Sequence, residues 1–122
     1  MLKNFLLVGI GGMAGSILRY ATSLLIKNLP NGFPIATFIV NIIGSFIIGW
    51  VFGVAIKESG YNWNWKLFIA TGICGGFTTF SAFTVEGVAL LQQHRFTVFA
   101  FYVISSLVLG LSAAWVGIIL GK

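Results

Sequence analysis

The chain has 122 residues, room for one domain, with 58% apolar residues and only 7% charged ones, against about 25% charged in an ordinary soluble domain. Nine charges cannot clothe a water-soluble surface, so the composition points to an integral membrane protein. Two carboxylates, Glu58 and Glu86, with no Asp, remove most hydrolase, nuclease and metalloenzyme chemistry, and a single Cys74 and a single His94 rule out an internal disulfide and a His-based metal cage. No enzyme is expected. The net charge of +5 comes from seven cations scattered between apolar blocks. They form no basic patch for nucleic acid and read as membrane-edge anchors.

A helix needs about 20 apolar residues to cross the hydrocarbon core. Four stretches qualify, at about 5–26, 35–56, 67–91 and 96–120, and together they make residues 1–122 a single transmembrane domain. In the first, Lys3 followed by an apolar run and Met13-Ala-Gly-Ser16 imitates a cleavable leader. The apolar pattern runs on to Ile26, so a retained span is expected. Its Gly9-x-Gly11-x-x-Ala14 imitates a dinucleotide fingerprint but has no preceding strand and no acidic residue about 20 positions on. Ser16, Arg19, Tyr20 and Ser23 fall on one helix face. Arg19 fits either a cation that raises local anion concentration at a mouth or a helix-end side chain that snorkels.

The first connector, 27–34, carries two Pro and an Asn-Gly pair, which are turn signals. The second span sets Thr37, Asn41 and Ser45 four apart on one stripe. The second connector, 57–66, places Tyr61, Trp63 and Trp65 at headgroup level. The third span is unusual. Gly75-Gly76 weaken the helix by about 1 kcal/mol each relative to Ala, and the Thr78 and Thr79 hydroxyls can bond freed backbone. A helix broken mid-membrane is expected there, with exposed carbonyls suited to a hard cation such as Na⁺. Beyond the break, Phe80, Phe83, Thr84 and Gly87 share a face. The positive edge of a phenyl ring can replace some hydration of a small anion. Glu86 is expected to be hydrogen-bonded, protonated or close to water. The fourth span follows a short connector, 92–95, and carries Tyr102, Ser105 and Ser106, continued by Gly110. Gly11-x-x-x-Gly15, Gly49-x-x-x-Gly53 and Gly117-x-x-x-Gly121 fit close helix contact.

Four spans put both termini on one side, with Lys3, Lys57, Lys66 and Lys122; the other side holds Lys27 and Arg95, plus Arg19 if it faces that end of the first span. That near balance allows insertion both ways up, and with it an antiparallel homodimer. A single topology set by Lys57 and Lys66 is the alternative. Three polar stripes in so small a chain point to a small-ion pathway, with no indication of which ion.

Asn41-x-x-Gly-Ser45, Gly75-Gly-Phe-Thr-Thr-Phe-Ser-Ala-Phe83 and Gly11-Gly-Met-Ala-Gly-Ser-Ile-Leu-Arg-Tyr20 resemble the Fluc (CrcB-type) fluoride channel family over all four spans. The resemblance implies an all-α protein with helix 3 broken, assembled as an antiparallel dual-topology homodimer. It implies two parallel pores that export fluoride passively across the plasma membrane of bacteria and other microbes, lowering its toxicity. It further implies a structural Na⁺ on the dimer axis, held by backbone carbonyls at Gly75 and Thr78. The pore phenylalanines map to Phe80 and Phe83, the pore amide to Asn41, and the polar track to Tyr102 and Ser106. Thr37, Ser81 and Arg19 complete the expected fluoride-contacting set. Two positions depart from the pattern: Gly110 lacks the track's next hydroxyl, and Ala82 stands where the family usually has Thr, with Ser81 retained. The alternative class is a small multidrug-type, proton-coupled transporter, which needs a central carboxylate; only Glu86 lies within a span.

Overall fold

A computed structural model describes residues 1–57 and 63–122. Among them the chain is helical: α1 is Leu2–Leu25 and α2 is Ile35–Lys57. Trp63–Lys66, Leu67–Cys74 and Gly75–Phe77 run on as α3; α4 is Phe80–Gln92 and α5 is Phe96–Gly121. Four stretches are long and apolar enough to cross a membrane, 2–25, 35–57, 64–92 and 96–121. The third includes both α3 and α4. Large apolar side chains such as Phe5, Leu25, Phe52, Leu111 and Trp115 are exposed, as suits a surface solvated by lipid. Glu58 and Tyr61 lie outside the described residues, as does the Trp63 ring. Trp65 stacks at a tilt on Trp50, centroids 6.0 Å apart.

Consecutive spans run in opposite directions, yet the main packing is between spans that run the same way: α2 on α5, and α1 on α3. Glycine permits both contacts. In lipid no hydrophobic force drives helices together, so association rests on close van der Waals approach. A Cβ on Gly49 would collide with the backbone of Ala114, and one on Gly53 with the backbone of Ile118 and Gly121. From the other side, a Cβ on Gly117 would strike the Phe46 carbonyl and the Trp50 N–H. On α1, a Cβ on Gly11 would come within 2.8 Å of the Gly72 Cα. All three expected Gly-x-x-x-Gly pairs therefore sit at helix crossings.

The α2–α5 contact has a constant register. Gly49 meets Ala114, Gly53 meets Ile118 and Ser45 faces Gly110, each pair 65 positions apart. Thr37 and Tyr102, whose hydroxyls interact, keep the same offset.

Residues 67–74 of α3 are wound as a π-helix, a wider turn that is uncommon over this length. After Phe77 the helix stops. Thr78 (φ −81°, ψ 155°) and Thr79 (φ −152°, ψ 122°) are extended before α4 begins. The Thr78 N–H and hydroxyl both donate to the Cys74 carbonyl, at 2.9 and 2.8 Å. Thr79 caps α4, its hydroxyl accepting from the Ala82 N–H at 3.1 Å; such caps are worth about 1 kcal/mol. Gly75 and Gly76 remain helical, so the interruption, at Thr78 and Thr79, begins two residues beyond the glycine pair that weakens the helix. At the far end of α4, the Arg95 N–H bonds the Leu90 carbonyl and the His94 N–H bonds that of Leu91, with His94 at φ 58°. This is a Schellman closure with His where Gly is usual.

Candidate functional site: two cavities around an interrupted helix

The extended Thr78-Thr79 pair leaves backbone groups that no helix satisfies. Asn41 on α2 takes up two of them: its Oδ1 accepts from the Thr79 N–H at 2.9 Å, and its Nδ2 donates to the Thr79 carbonyl at 3.1 Å. The amide orientation follows from that pairing. One Nδ2 proton stays available. Gly44, one turn along α2, makes room for the Thr78 methyl. A continuing helix would send the Thr79 N–H to the Gly75 carbonyl; here it goes to Asn41 instead. The neighbouring Gly76 carbonyl accepts from Arg19 Nε at 3.1 Å.

Two cavities flank this junction. The larger, about 290 Å³, is lined by Asn41, Ser45, Thr78, Thr79, Phe80, Phe83, Ser106 and Gly110 with Ile48 and Leu107. It bears no charged side chain. Its polar wall consists of one amide and hydroxyls, and its aromatic wall is the Phe80–Phe83 pair, centroids 6.1 Å apart. Ser106 Oγ is buried without a hydrogen-bond partner among the described residues. Phe80 is 77% exposed, so one side of this cavity is open in the isolated chain. The smaller cavity, about 200 Å³, is lined by Arg19, Tyr20, Ser23, Thr37, Thr79, Ala82 and Glu86 with Ala36 and Val40. It is the charged counterpart of the first, and Thr79 contributes to both walls.

The structure thus gathers Asn41, Phe80, Phe83 and Ser106 with Thr78 at one cavity, and Thr37 with Arg19 at the other. Tyr102 is fully buried and lines neither. Its hydroxyl donates to Glu86 Oε1 at 3.5 Å and its ring packs on Phe83, centroids 5.1 Å apart. Thr37 is the second hydroxyl at Glu86, so of the three states expected for that carboxylate the hydrogen-bonded one is seen. Ser81 lines neither cavity; its hydroxyl lies 3.3 Å from that of Thr79. Gly75 sits in the last helical turn before the interruption.

Two expectations from helical phase are corrected. Ser105 turns away from Ser106, bonds the Phe101 carbonyl and faces the groove lined by Phe33, Phe38 and Phe101. Adjacent residues on a helix stand about 100° apart, so the fourth-span stripe was too wide by one residue. Thr84 is exposed and bonds the Ser81 carbonyl at 2.9 Å, while Phe83 packs inward. Ser45, which the sequence placed on the α2 stripe without a role, lines the larger cavity beside Asn41.

Four apolar spans enclosing neutral and charged polar cavities around an interrupted helix define a small multi-pass membrane protein with an internal polar site. Residues 6–118 match the family model described as "CrcB-like protein, Camphor Resistance (CrcB)". The chain belongs to the CrcB family. A protein named "Fluoride-specific ion channel FluC" from Flavobacterium psychrophilum is 43% identical over 122 residues, 99% of this chain and 98% of the relative. One of the same name from Azobacteroides pseudotrichonymphae is 42% identical, over 98% of this chain and 97% of its own. "Fluoride-specific ion channel FluC 1" from Listeria innocua is 44% identical, over 99% of each.

Proposed function

We propose that this chain is a fluoride channel of a bacterial plasma membrane, letting F⁻ leave the cell down its gradient. The observation that carries this reading is the larger cavity: donors without charge on one wall, phenyl rings on the other. Fluoride is small and strongly hydrated. A conduit must replace that hydration with several weak donors, because one deep well would hold the ion and stop conduction. The free Asn41 N–H, the Ser106 hydroxyl and the ring edges of Phe80 and Phe83 supply this. Arg19 in the smaller cavity supports anion entry by raising local anion concentration. Its bond to Gly76 also fastens the interruption to α1. The test is release of fluoride from liposomes holding the purified protein, followed with an ion-selective electrode. Release well above protein-free vesicles supports the reading. Release no faster than theirs contradicts it.

The working unit in this reading is an antiparallel, dual-topology homodimer with two pores, and the interruption between α3 and α4 lies at mid-membrane depth. The near balance of cations on the two faces supports insertion both ways up. The exposed Phe80 and the open side of its cavity support a second copy as the missing wall. Phe80→Ile and Phe83→Ile should each slow fluoride release by about tenfold, the loss of an interaction worth some 1.4 kcal/mol, with the dimer intact by gel filtration. Unchanged release from an intact dimer would mean that both rings only pack.

A structural Na⁺ belongs to the same proposal. The Gly75 carbonyl, denied its helical donor, and that of the extended Thr78 are hard oxygen ligands at the C-terminal end of α3. A cation there is also favoured by the helix dipole. These two residues would hold the ion, which would offset the partial negative charge of their carbonyls and tie the interruptions of two copies together. Exchanging Na⁺ for N-methylglucamine throughout purification should weaken the dimer or slow release. Equal dimer content and flux in both salts removes the ion from the account.

A further inference from the structure

On the reading just given, we propose that Ser45 is a fluoride-coordinating donor that supplies alone, from α2, what α5 does not provide opposite it. The constant register of α2 against α5 builds polar rungs four residues, about 6 Å, apart. The first rung pairs Thr37 with Tyr102. The second pairs Asn41 with Ser106, both on the larger cavity. The third pairs Ser45 with Gly110, which also line it. Each of the first two has a polar side chain from both helices; the third has one from α2 only.

The state of the Ser45 hydroxyl supports this role. Hydroxyls on membrane helices usually bond a carbonyl of the preceding turn. Thr22 bonds the Leu18 carbonyl, Thr78 that of Cys74 and Ser105 that of Phe101. The Ser45 hydroxyl makes no such bond and has no partner among the described residues. Ser106 Oγ, one rung away, is buried and also without a partner there. Two donors without partners thus lie on one cavity wall, the buried Ser106 Oγ carrying a hydrogen-bonding deficit that an anion in the cavity relieves and the half-buried Ser45 Oγ being free to join it. Gly110 opens the wall: a Cβ there would stand 3.8 Å from Ser45 Oγ, an ordinary contact. A serine at 110 therefore fits without displacing backbone and puts a hydroxyl beside the one Ser45 carries.

Fluoride release is measured for wild type, Ser45→Ala, and Ser45→Ala combined with Gly110→Ser, with dimer content and melting temperature recorded for each. Removing a donor to a charged partner should slow Ser45→Ala by about tenfold or more, while its melting temperature stays near wild type. The double variant should recover most of that loss, because the donor returns to the same rung from the other helix. Ser45→Ala releasing fluoride at the wild-type rate overturns the assignment. So does a well-folded double variant that stays as slow as the single one. Wild type that passes no fluoride overturns the fluoride reading beneath it, an outcome separate from both.

Discussion

Asn41→Asp should reduce fluoride release by roughly a thousandfold. In the native chain the Asn41 amide satisfies both the N–H and the carbonyl of Thr79, and keeps one N–H for the larger cavity. Asp retains the acceptor but loses both donors. An ionised carboxylate would face the Thr79 carbonyl and any passing anion. At 4 Å and an effective dielectric constant near 20, like unit charges repel by about 4 kcal/mol, or about three decades of rate. The variant keeps the bond from the Thr79 N–H, so α4 stays anchored and the protein should purify with the same elution volume as wild type. Release should recover in part at acidic pH, where a protonated Asp no longer repels. Efflux at two pH values with gel filtration of the same sample checks this. Wild-type flux from Asn41→Asp would mean that the amide only caps the interruption.

Gly49→Ala should cost most of the folded protein. A single methyl at Gly49 points into the Ala114 backbone, which cannot swing aside as a side chain would. Overpacking a core usually costs 1–3 kcal/mol. Here the crossing repeats at Gly53, Gly117 and Gly121, so relief at one point strains the next and the loss should exceed about 3 kcal/mol. Gly9→Ala is the matched comparison. Nothing stands within 4 Å of a Cβ at Gly9, and Ala gains up to about 1 kcal/mol of helix propensity. Melting temperature and monodisperse yield in detergent should fall sharply for Gly49→Ala and hold or rise for Gly9→Ala. Equal behaviour of the two would mean that α2 and α5 do not pack through their glycines.

Where the chain crosses the membrane was readable because hydrocarbon imposes a length of apolar helix, and every connector carries turn or interface residues. All eight expected ends lie within three residues of the ends of the long apolar helices. Which helices pack together was not readable from chain order, since the tightest contacts join spans that are not consecutive. The glycines marked close contact without naming the partner. Helical phase placed Asn41 and Ser45 on one stripe correctly, yet Ser105 and Thr84 were put on faces they do not share with Ser106 and Phe83. A one-residue step turns a side chain by about 100°, and composition does not resolve it. The π-helical turns of α3 carried no sequence signal that we can identify. The paired bonds of Asn41 to Thr79 join residues 38 positions apart; a buried amide announces a need for partners without saying where they are.

The central claim is that neutral donors and ring edges pass fluoride in preference to larger anions. Its most direct test is a single liposome preparation loaded with equal fluoride and chloride, with both ions followed by selective electrodes after one valinomycin addition. Fast fluoride release with chloride retained is the expected result. Chloride leaving as fast as fluoride would contradict it, since a cavity that does not distinguish the two is not organised around the smaller ion.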